Sequence, residues 1–140
     1  MKHPVFAAVK AIILNQDGEF LIVRQEMPDG SFIWDLPGGK MEYGESPIEA
    51  LEREVYEETR ISLDGGAPRG MFSFRHPTHP FQVAVTVFLC ESFSGNPDIS
   101  RNPAQENISD FRWVTKDAFL SHDIPTGGRD IKKCVKDILS

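Results

Sequence analysis

The sequence predicts an α+β fold in which a mixed β-sheet lies between helices. Several short apolar runs are rich in β-branched and aromatic residues, and two stretches carry apolar side chains at helical spacing. The two kinds of segment do not alternate in the steady rhythm of an all-parallel sheet. With 140 residues, the chain is long enough for one domain, over 1–140, and too short for two ordinary ones.

The first part of the chain predicts a β-hairpin followed by a loop. Residues 5–14 are apolar with Lys10 as the only charge, so we expect a strand that is buried on much of both faces. Residues 15–18, Asn-Gln-Asp-Gly, are typical of a tight turn, and the return strand runs from Glu19 to Arg24. A loop over Met27 to Asp35 then leads to a glycine pair.

Two residues of this region are candidates for contact with a substrate. Arg24 lies at the end of a strand, where binding residues often sit, although a solvated strand end would look the same. Trp34 directly precedes the glycine pair and could stack on a nucleobase or cover the site. Core packing is the alternative for so large an aromatic side chain.

The glycine pair itself, Gly38 and Gly39, follows Pro37 and allows backbone conformations that other residues avoid. Its N–H and C=O groups could therefore approach a ligand closely, which makes both glycines candidates for substrate binding. An ordinary turn is the alternative.

A helix is predicted from Pro47 to about Thr59. Ser46 suits the N-cap, Pro47 suits the first helical position, and Glu49 completes a capping box with the serine. One face of this helix is apolar and is expected to pack on the sheet. Its residues are Ile48, Leu51 and Val55.

Another face of the same helix is acidic. Glu54, Glu57 and Glu58 lie three and four positions apart, so their carboxylates gather together and repel one another by roughly 0.2–0.5 kcal/mol per pair. A hard cation such as Mg²⁺ or Ca²⁺ would remove the repulsion, because these ions take oxygen ligands. Arg53 is placed to brace both Glu49 and Glu57. A solvated acidic face is the alternative.

The remaining elements follow from the same patterns. In order they are a turn-rich link over Leu63 to Pro68, a strand over Arg69 to Arg75, a proline-rich loop over 76–80, a strand over Phe81 to Glu91 that is apolar on both faces, a polar loop over Ser92 to Pro103, a strand over Ile108 to Val114, a short helix over Lys116 to Ser121 and an amphipathic helix over Arg129 to Leu139. Arg75 is a further candidate for substrate contact. His76 and His79 fit no zinc spacing, so a turn is favoured there.

Taken together, the glycine pair and the acidic helix resemble the signature of a known family. From Gly39 the chain reads Gly, five residues, Glu, seven residues, Arg-Glu-Val, one residue, Glu-Glu, one residue and Ile61. This pattern resembles the Nudix box of the Nudix hydrolases, which hydrolyse nucleoside diphosphates linked to another moiety. One position departs from it, since Arg60 replaces the glycine before the last aliphatic residue. A left-handed Arg60 would cost on the order of 1 kcal/mol, unless the helix ends differently.

The resemblance implies the α/β/α sandwich of the family and a divalent ion, Mg²⁺ or alternatively Mn²⁺. By matching motif positions, Glu54 and Glu58 are expected as the first ligands, with Glu57 and the Gly39 carbonyl as further ones. The ion would neutralise phosphate charge and lower the pKa of a bound water.

The resemblance leaves the general base open among Glu54, Glu57 and Glu106, the last being an acid in the loop before the strand at 108. Arg53 would orient Glu57 rather than touch the substrate. A solvated loop carboxylate is the alternative for Glu106.

The expected substrate is a small nucleotide. The compact chain is similar to MutT-like enzymes that act on nucleoside triphosphates, although residues 123–128 lack the asparagine that some of those enzymes use to bind the base. ADP-ribose or a nucleotide sugar is the alternative, because Pro77 lies near a proline of the ADP-ribose-hydrolysing members. A non-catalytic nucleotide-binding module is a third possibility, but such modules usually lose box carboxylates.

Composition limits partners and compartment. The net charge of −6 argues against a nucleic-acid polymer as partner, and no apolar run approaches the ~18 residues of a membrane span. With no signal-peptide pattern at the N-terminus, we expect a cytoplasmic protein. Cys90 and Cys134 lie in apolar segments and are expected to be buried free thiols. Both a monomer and a homodimer remain open.

Overall fold

The computed structural model describes residues 2–100 and 107–140. Within these ranges the strands are β1 (Val5–Ile13), β2 (Glu19–Glu26), β3 (Phe32–Asp35), β4 (Gly38–Lys40), β5 (Ser62–Leu63), β6 (Ala67–Arg75), β7 (Gln82–Cys90), β8 (Phe93–Ser94) and β9 (Ile108–Thr115). The helices are α1 (Pro47–Thr59), α2 (Lys116–Leu120) and α3 (Ile131–Ile138).

The β-structure is mixed, as predicted, but it divides into separate sheets. The largest has the order β4-β1-β7-β6, in which β1 and β7 are parallel and the other neighbours are antiparallel. A second, antiparallel sheet has the order β3-β2-β9, and β5 pairs with β8. The predicted hairpin of β1 and β2 was wrong, because the two strands lie in different sheets and meet only at an isolated bridge between Leu14 and Phe20 beside the turn.

Helices cover this β-structure from two sides and create two apolar clusters. On β1, Ile12 belongs to the cluster that contains α2 and α3, whereas Val9 and Ile13 belong to the cluster that contains α1. Successive strand residues point to opposite faces, so one apolar strand serves both clusters. In α1, Leu51 and Val55 are fully buried, which stabilises the fold by about 1.5–3 kcal/mol for each side chain. The predicted sandwich arrangement is confirmed.

Four sequence predictions about loops were wrong. The turn-rich link over Leu63 to Pro68 overlaps β5 and β6, and the polar loop over Ser92 to Pro103 contains β8, because β5 and β8 pair with each other. Residues 32–35 form β3 rather than the end of a loop, because the short apolar run Phe-Ile-Trp pairs with β2 after the turn at Gly30. The glycine pair lies in β4 rather than in a free loop, and Gly39 pairs with Val9 of β1. The sequence concealed β3 and β4 because both are short and flanked by turn residues.

Both ends of α1 follow the sequence closely. The capping box is present: the Glu49 N–H donates to Ser46 Oγ at 3.2 Å, and the Ser46 N–H donates to the Glu49 carboxylate at 2.9 Å. At the other end Arg60 takes the left-handed conformation, with φ of 63°, and its N–H donates to the Tyr56 carbonyl. The arginine thus keeps the geometry that glycine would favour, at a cost of about 1 kcal/mol.

Two further expectations concern helix length and thiols. In the described ranges, no helix is long and apolar enough to cross a membrane. Cys90 and Cys134 are buried and unpaired, as predicted, and burial raises the pKa of Cys90 to about 12.

Candidate active site

The acidic face of α1 meets β4 at the glycine pair. A Cβ atom on Gly39 would lie 2.5 Å from the Glu54 carboxylate, and one on Gly38 would lie 2.0 Å from the Val9 carbonyl oxygen. Gly38 also has a φ of +146°, which disfavours other residues. Its N–H donates to Glu58 Oε1 at 2.9 Å. Only glycine therefore lets the backbone of β4 lie directly against the carboxylates of α1.

Arg53 binds the carboxylates around it. Its guanidinium contacts both oxygens of Glu45, at 2.6 and 2.9 Å, and reaches Glu54 at 3.0 Å and Glu57 at 3.4 Å. It also donates to the Lys40 carbonyl of β4 at 3.2 Å. Arg53 thus contacts Glu57, which it is predicted to orient, and joins the helix to the glycine strand.

The predicted contact between Arg53 and Glu49 was wrong. The Glu49 carboxylate is held by the N-cap of α1, and Glu45 takes the second place beside the arginine. Hydrogen bonds from Arg53 and from the Glu42 N–H lower the pKa of Glu45 to about 2. The sequence suggested Glu49 because it lies one helical turn away, whereas Glu45 reaches the arginine from the loop before the helix.

These carboxylates offer oxygen donors that suit a hard cation. Glu54 and Glu58 are 9% and 4% exposed, and buried carboxylates are costly unless they are paired or bind a metal. Glu57 is more exposed and is turned toward Arg53. Across residues 2–100 and 107–140, no three or more carboxylate, histidine or cysteine side chains stand close enough together to hold a metal ion as they are. The residues fit a site centred on Glu54 and Glu58 at Gly39, which Glu57 would have to approach.

A second group of charges, which we call the Asp35 cluster, lies beside this site and comprises Lys10, Asp35, Phe74 and Arg129. The Lys10 ammonium is 3.1 Å from Asp35, the Arg129 guanidinium is 3.6 Å from the same carboxylate, and Arg129 stacks 3.9 Å over the Phe74 ring. Burial alone would lower the pKa of Lys10, but Asp35 and Glu58 outweigh burial and raise it. Lys10 therefore stays charged.

The Asp35 cluster was not predicted from the sequence as a candidate site. One signal was available, because Lys10 is the only charge in a strand that was expected to be buried on both faces. A buried charge requires a partner. Asp35, Phe74 and Arg129 lie on other strands or before α3, and local pattern does not show which of them meet.

Two clefts open on these groups. The box cleft lies between the acidic helix face and the large sheet; its lining includes Lys10, Gln25, Gly39, Glu54, Glu58 and Arg129. The side cleft lies next to it; its lining includes Met27, Ile33, Phe74, Arg75, Pro77 and Arg129. Phe74 and Arg129 line both clefts, so they form the wall where the two meet.

The other predicted site residues are placed as follows. Arg24 pairs with Glu26 at 2.9 Å and stacks over the Phe32 ring at 3.7 Å, so its charge is already engaged. Trp34 is 3% exposed within an apolar cluster, which favours the core-packing alternative. Arg75 lines the side cleft, where it could meet a substrate. Glu106 lies outside the described residues.

The histidine loop behaves as a turn. Nδ1 of His76 accepts from the backbone N–H groups of Thr78 and His79, at 3.2 and 3.1 Å. The Phe81 N–H closes the loop on the His79 carbonyl. This geometry agrees with the turn that the prolines predicted.

Comparison with known proteins identifies the relatives of this chain. A family model described as "NUDIX domain" matches residues 4–135. The protein "Phosphatase NudJ" of Escherichia coli is 40% identical over 110 residues, which cover 79% of this chain and 69% of that protein. A "Putative 8-oxo-dGTP diphosphatase" of Bacillus subtilis is 37% identical over 79 residues, which cover 54% of this chain and 50% of the relative. The chain thus spans about half the length of that relative.

Solved structures are similar as well. The "MutT protein" from Methanosarcina mazei is 30% identical, with a TM-score of 0.75 over 89% of this chain and 88% of that one. A "MutT NUDIX hydrolase" from Burkholderia pseudomallei has a TM-score of 0.78 over 97% and 99% of the two chains, at 23% identity, and supports the fold alone. Motif, fold and family match agree, and the chain belongs to the Nudix hydrolase family.

Proposed function

We propose that the protein, as a single Nudix domain over 1–140, is a Mg²⁺-dependent hydrolase that cleaves a pyrophosphate bond in a nucleoside diphosphate derivative. A nucleoside triphosphate is the substrate we favour. The observation that carries the proposal is the meeting of Glu54 and Glu58 with the glycine pair of β4, where Gly38 donates to one carboxylate and Gly39 makes room for the other. Mn²⁺ is the alternative ion.

Each residue of the box has a proposed role. Glu54, Glu58 and the Gly39 carbonyl would hold the ion, and Glu57 would join them or act as the general base. A bound divalent ion would neutralise phosphate charge and lower the pKa of its water. Arg53 holds Glu57 in place through the contact at 3.4 Å. The base remains to be chosen among Glu54, Glu57 and Glu106 by mutagenesis.

The two clefts suggest how a nucleotide would lie. The glycine backbone and the acidic helix face would take the diphosphate in the box cleft. The side cleft offers apolar side chains from Met27, Ile33 and Phe74, with Arg75 at its wall, and suits a nucleoside. Arg24, which is paired with Glu26, and the buried Trp34 would not stack on the base.

Product analysis on a nucleotide panel tests the proposal. The panel contains ordinary and oxidised nucleoside triphosphates, ADP-ribose, nucleotide sugars and dinucleoside polyphosphates, each with Mg²⁺ and with a chelator. We expect a nucleoside monophosphate and pyrophosphate from a triphosphate, with Mg²⁺ only. If no compound is cleaved while nucleotides still bind, the non-catalytic alternative replaces the hydrolase.

A nucleotide sugar is the second candidate. Pro77, the residue that suggested it, lines the side cleft next to Phe74 and Arg129. In this alternative the side cleft would hold one of the two sugar-bearing ends of the substrate. Release of AMP and ribose phosphate from ADP-ribose, without cleavage of triphosphates, would establish this alternative.

The cytoplasm is the compartment we propose, because two buried cysteines remain free, as is usual where thiols are kept reduced. Cell fractionation tests this location. Size-exclusion chromatography with light scattering decides between a monomer and a homodimer.

A further inference from the structure

The point where the two clefts meet carries an inference beyond the reaction itself. Phe74 and Arg129 line both clefts. A nucleoside triphosphate with its two terminal phosphates in the box cleft and its nucleoside in the side cleft must cross this wall. The phosphate attached to the nucleoside lies between those two groups, next to the bond that is cleaved.

Arg129 has the chemistry to bind that phosphate. Its guanidinium carbon lies 3.9 Å from the centroid of the Phe74 ring, a cation–π contact that favours a position at this wall. A guanidinium carries five N–H donors in a rigid fork that matches two phosphate oxygens. The contact with Asp35, at 3.6 Å, is a long ion pair, and the side chain is 23% exposed. A phosphate that lies at this wall would therefore compete with Asp35 for the Arg129 guanidinium.

Lys10 lowers the free-energy cost of moving Arg129 from Asp35 to a phosphate. A buried carboxylate that loses its partner is strongly destabilised. Asp35, however, also accepts from Lys10 at 3.1 Å and from the Leu36 N–H at 2.8 Å. When Arg129 turns toward a phosphate, Asp35 keeps both of these bonds.

We propose that Arg129 is a specificity-determining residue that binds the nucleoside-linked phosphate of the substrate, and that Lys10 is a positioning residue that frees it to do so by retaining Asp35. The inference rests on the proposed function for the placement of the nucleotide. It assigns the Asp35 cluster a role in recognition, separate from the carboxylates of the box.

Direct binding of nucleoside monophosphates tests the inference without requiring turnover. Titration calorimetry would use the 5′-monophosphates of adenosine, guanosine, cytidine and uridine, and the corresponding free nucleosides. The variants are Arg129→Met, which loses the charge, and Arg129→Lys, which keeps the charge but loses the fork. Lys133→Met is the matched control, because Lys133 is 78% exposed on the neighbouring helix α3.

We expect Arg129→Met to weaken binding of the preferred monophosphate by about 10- to 100-fold, the range of a charge-assisted bidentate contact. Arg129→Lys should fall between this variant and the wild type, and Lys133→Met should bind as the wild type does. Binding of free nucleosides should not change. Equal weakening of nucleosides and monophosphates would overturn the inference, because the arginine would then support the base.

Inhibition by imidodiphosphate locates the contact in an active enzyme. This compound resembles the pyrophosphate leaving group and lacks a nucleoside-linked phosphate, so its inhibition should be the same in Arg129→Met as in the wild type, while KM for the nucleotide rises. Parallel loss of imidodiphosphate inhibition would place Arg129 at the leaving pyrophosphate and reject our assignment.

The role of Lys10 has its own test. In Lys10→Met, Asp35 depends on Arg129, so monophosphate binding should weaken although Arg129 is intact. The double variant Lys10→Met with Asp35→Asn should recover it. If the single variant does not fold, the double variant alone still decides, since failure of a folded double variant to bind the monophosphate contradicts the inference. Two outcomes for the wild type separate this inference from the proposed function. A wild type that binds monophosphates through Arg129 but cleaves nothing would refute the proposed hydrolysis and leave the role of Arg129 standing. A wild type that binds no monophosphate would overturn the inference.

Discussion

The acidic helix face and the Asp35 cluster differ in how the chain builds them. The first takes Arg53, Glu54, Glu57 and Glu58 from one helix, so helical spacing alone brings the groups together. The second joins residues of β1, β3 and β6 with an arginine that precedes α3. The residues of the acidic helix face are close together in the sequence, whereas those of the Asp35 cluster come together only when the sheets have formed.

The two sites also balance charge differently. On the helix, Glu54 and Glu57 share Arg53 with Glu45 of the preceding loop, so an excess of negative charge remains for a cation. In the Asp35 cluster, Lys10 and Arg129 share Asp35, and Lys10 is also attracted by Glu58 of the helix, so Arg129 is the cation that remains for an anion. A metal-bound diphosphate beside a phosphate ester would satisfy both. The contrast predicts that helix substitutions change catalysis with little loss of stability, whereas substitutions in the cluster change both.

The largest expected effect tests the helix side of this contrast. Glu57→Gln should lower kcat by at least about 100-fold, the scale of general-base catalysis, with an unchanged unfolding midpoint. Glu57 is 32% exposed, so its loss leaves no buried group unpaired. Steady-state kinetics and thermal unfolding provide the two measurements, with Glu52→Gln on the same helix as control. Wild-type turnover of the Glu57 variant would remove this residue from the mechanism.

The next effect tests the cluster side. Lys10→Met should lower the free energy of unfolding by about 2 kcal/mol, because the buried Asp35 loses its shorter ion pair. Arg129 remains beside the carboxylate and limits the loss. Urea unfolding measures the change, with Lys133→Met as the exposed control. A variant as stable as the wild type would show that the ion pair between Lys10 and Asp35 makes no net contribution to the fold.

A smaller effect is expected where the box departs from its family. Arg60→Gly should raise the free energy of unfolding by up to about 1 kcal/mol, because glycine takes a φ of 63° without strain. The gain is limited by the lost stacking of the guanidinium over Tyr56 at 5.0 Å and by the freedom of glycine in the unfolded chain. Urea unfolding of the variant measures the balance, and destabilisation would mean that the stacking outweighs the strain.

The smallest expected effect is a dependence on pH. The pKa of Glu45 is lowered from 4.5 to about 2, so its charged form is favoured in the folded protein. The stabilisation that results is complete above pH 4.5 and is lost as the pH falls toward 2. The difference in unfolding midpoint between the wild type and Glu45→Gln should therefore be constant near neutral pH and shrink in acid. A constant difference down to pH 2 would show that the Arg53 contact is not the cause.

The same contrast explains which features of the fold and the site could be predicted from the sequence. The capping box, the apolar stripe through Leu51 and Val55, and the acidic face were readable, because each depends on residues within two helical turns. The short strands β3 and β4 were missed because their hydrogen bonds come from distant partners. Lys10 was noticed as a lone charge, but its partner could not be named, since Asp35 is brought to it by sheet pairing rather than by spacing. The roles assigned to the box residues stay predictions.

The pairing of β1 with β7 has a consequence for synthesis on the ribosome. Val5 lies opposite Gln82, so the strand made first must wait until more than half of the chain has followed before its central neighbour exists. Pairing over such a sequence separation is slow, and apolar strands that wait unpaired can associate with other chains. Folding of the acidic helix is local and can come early. The order in which the protein emerges therefore favours a formed helix, with β4 available to pair with β1, beside a sheet that still lacks β7 and β6.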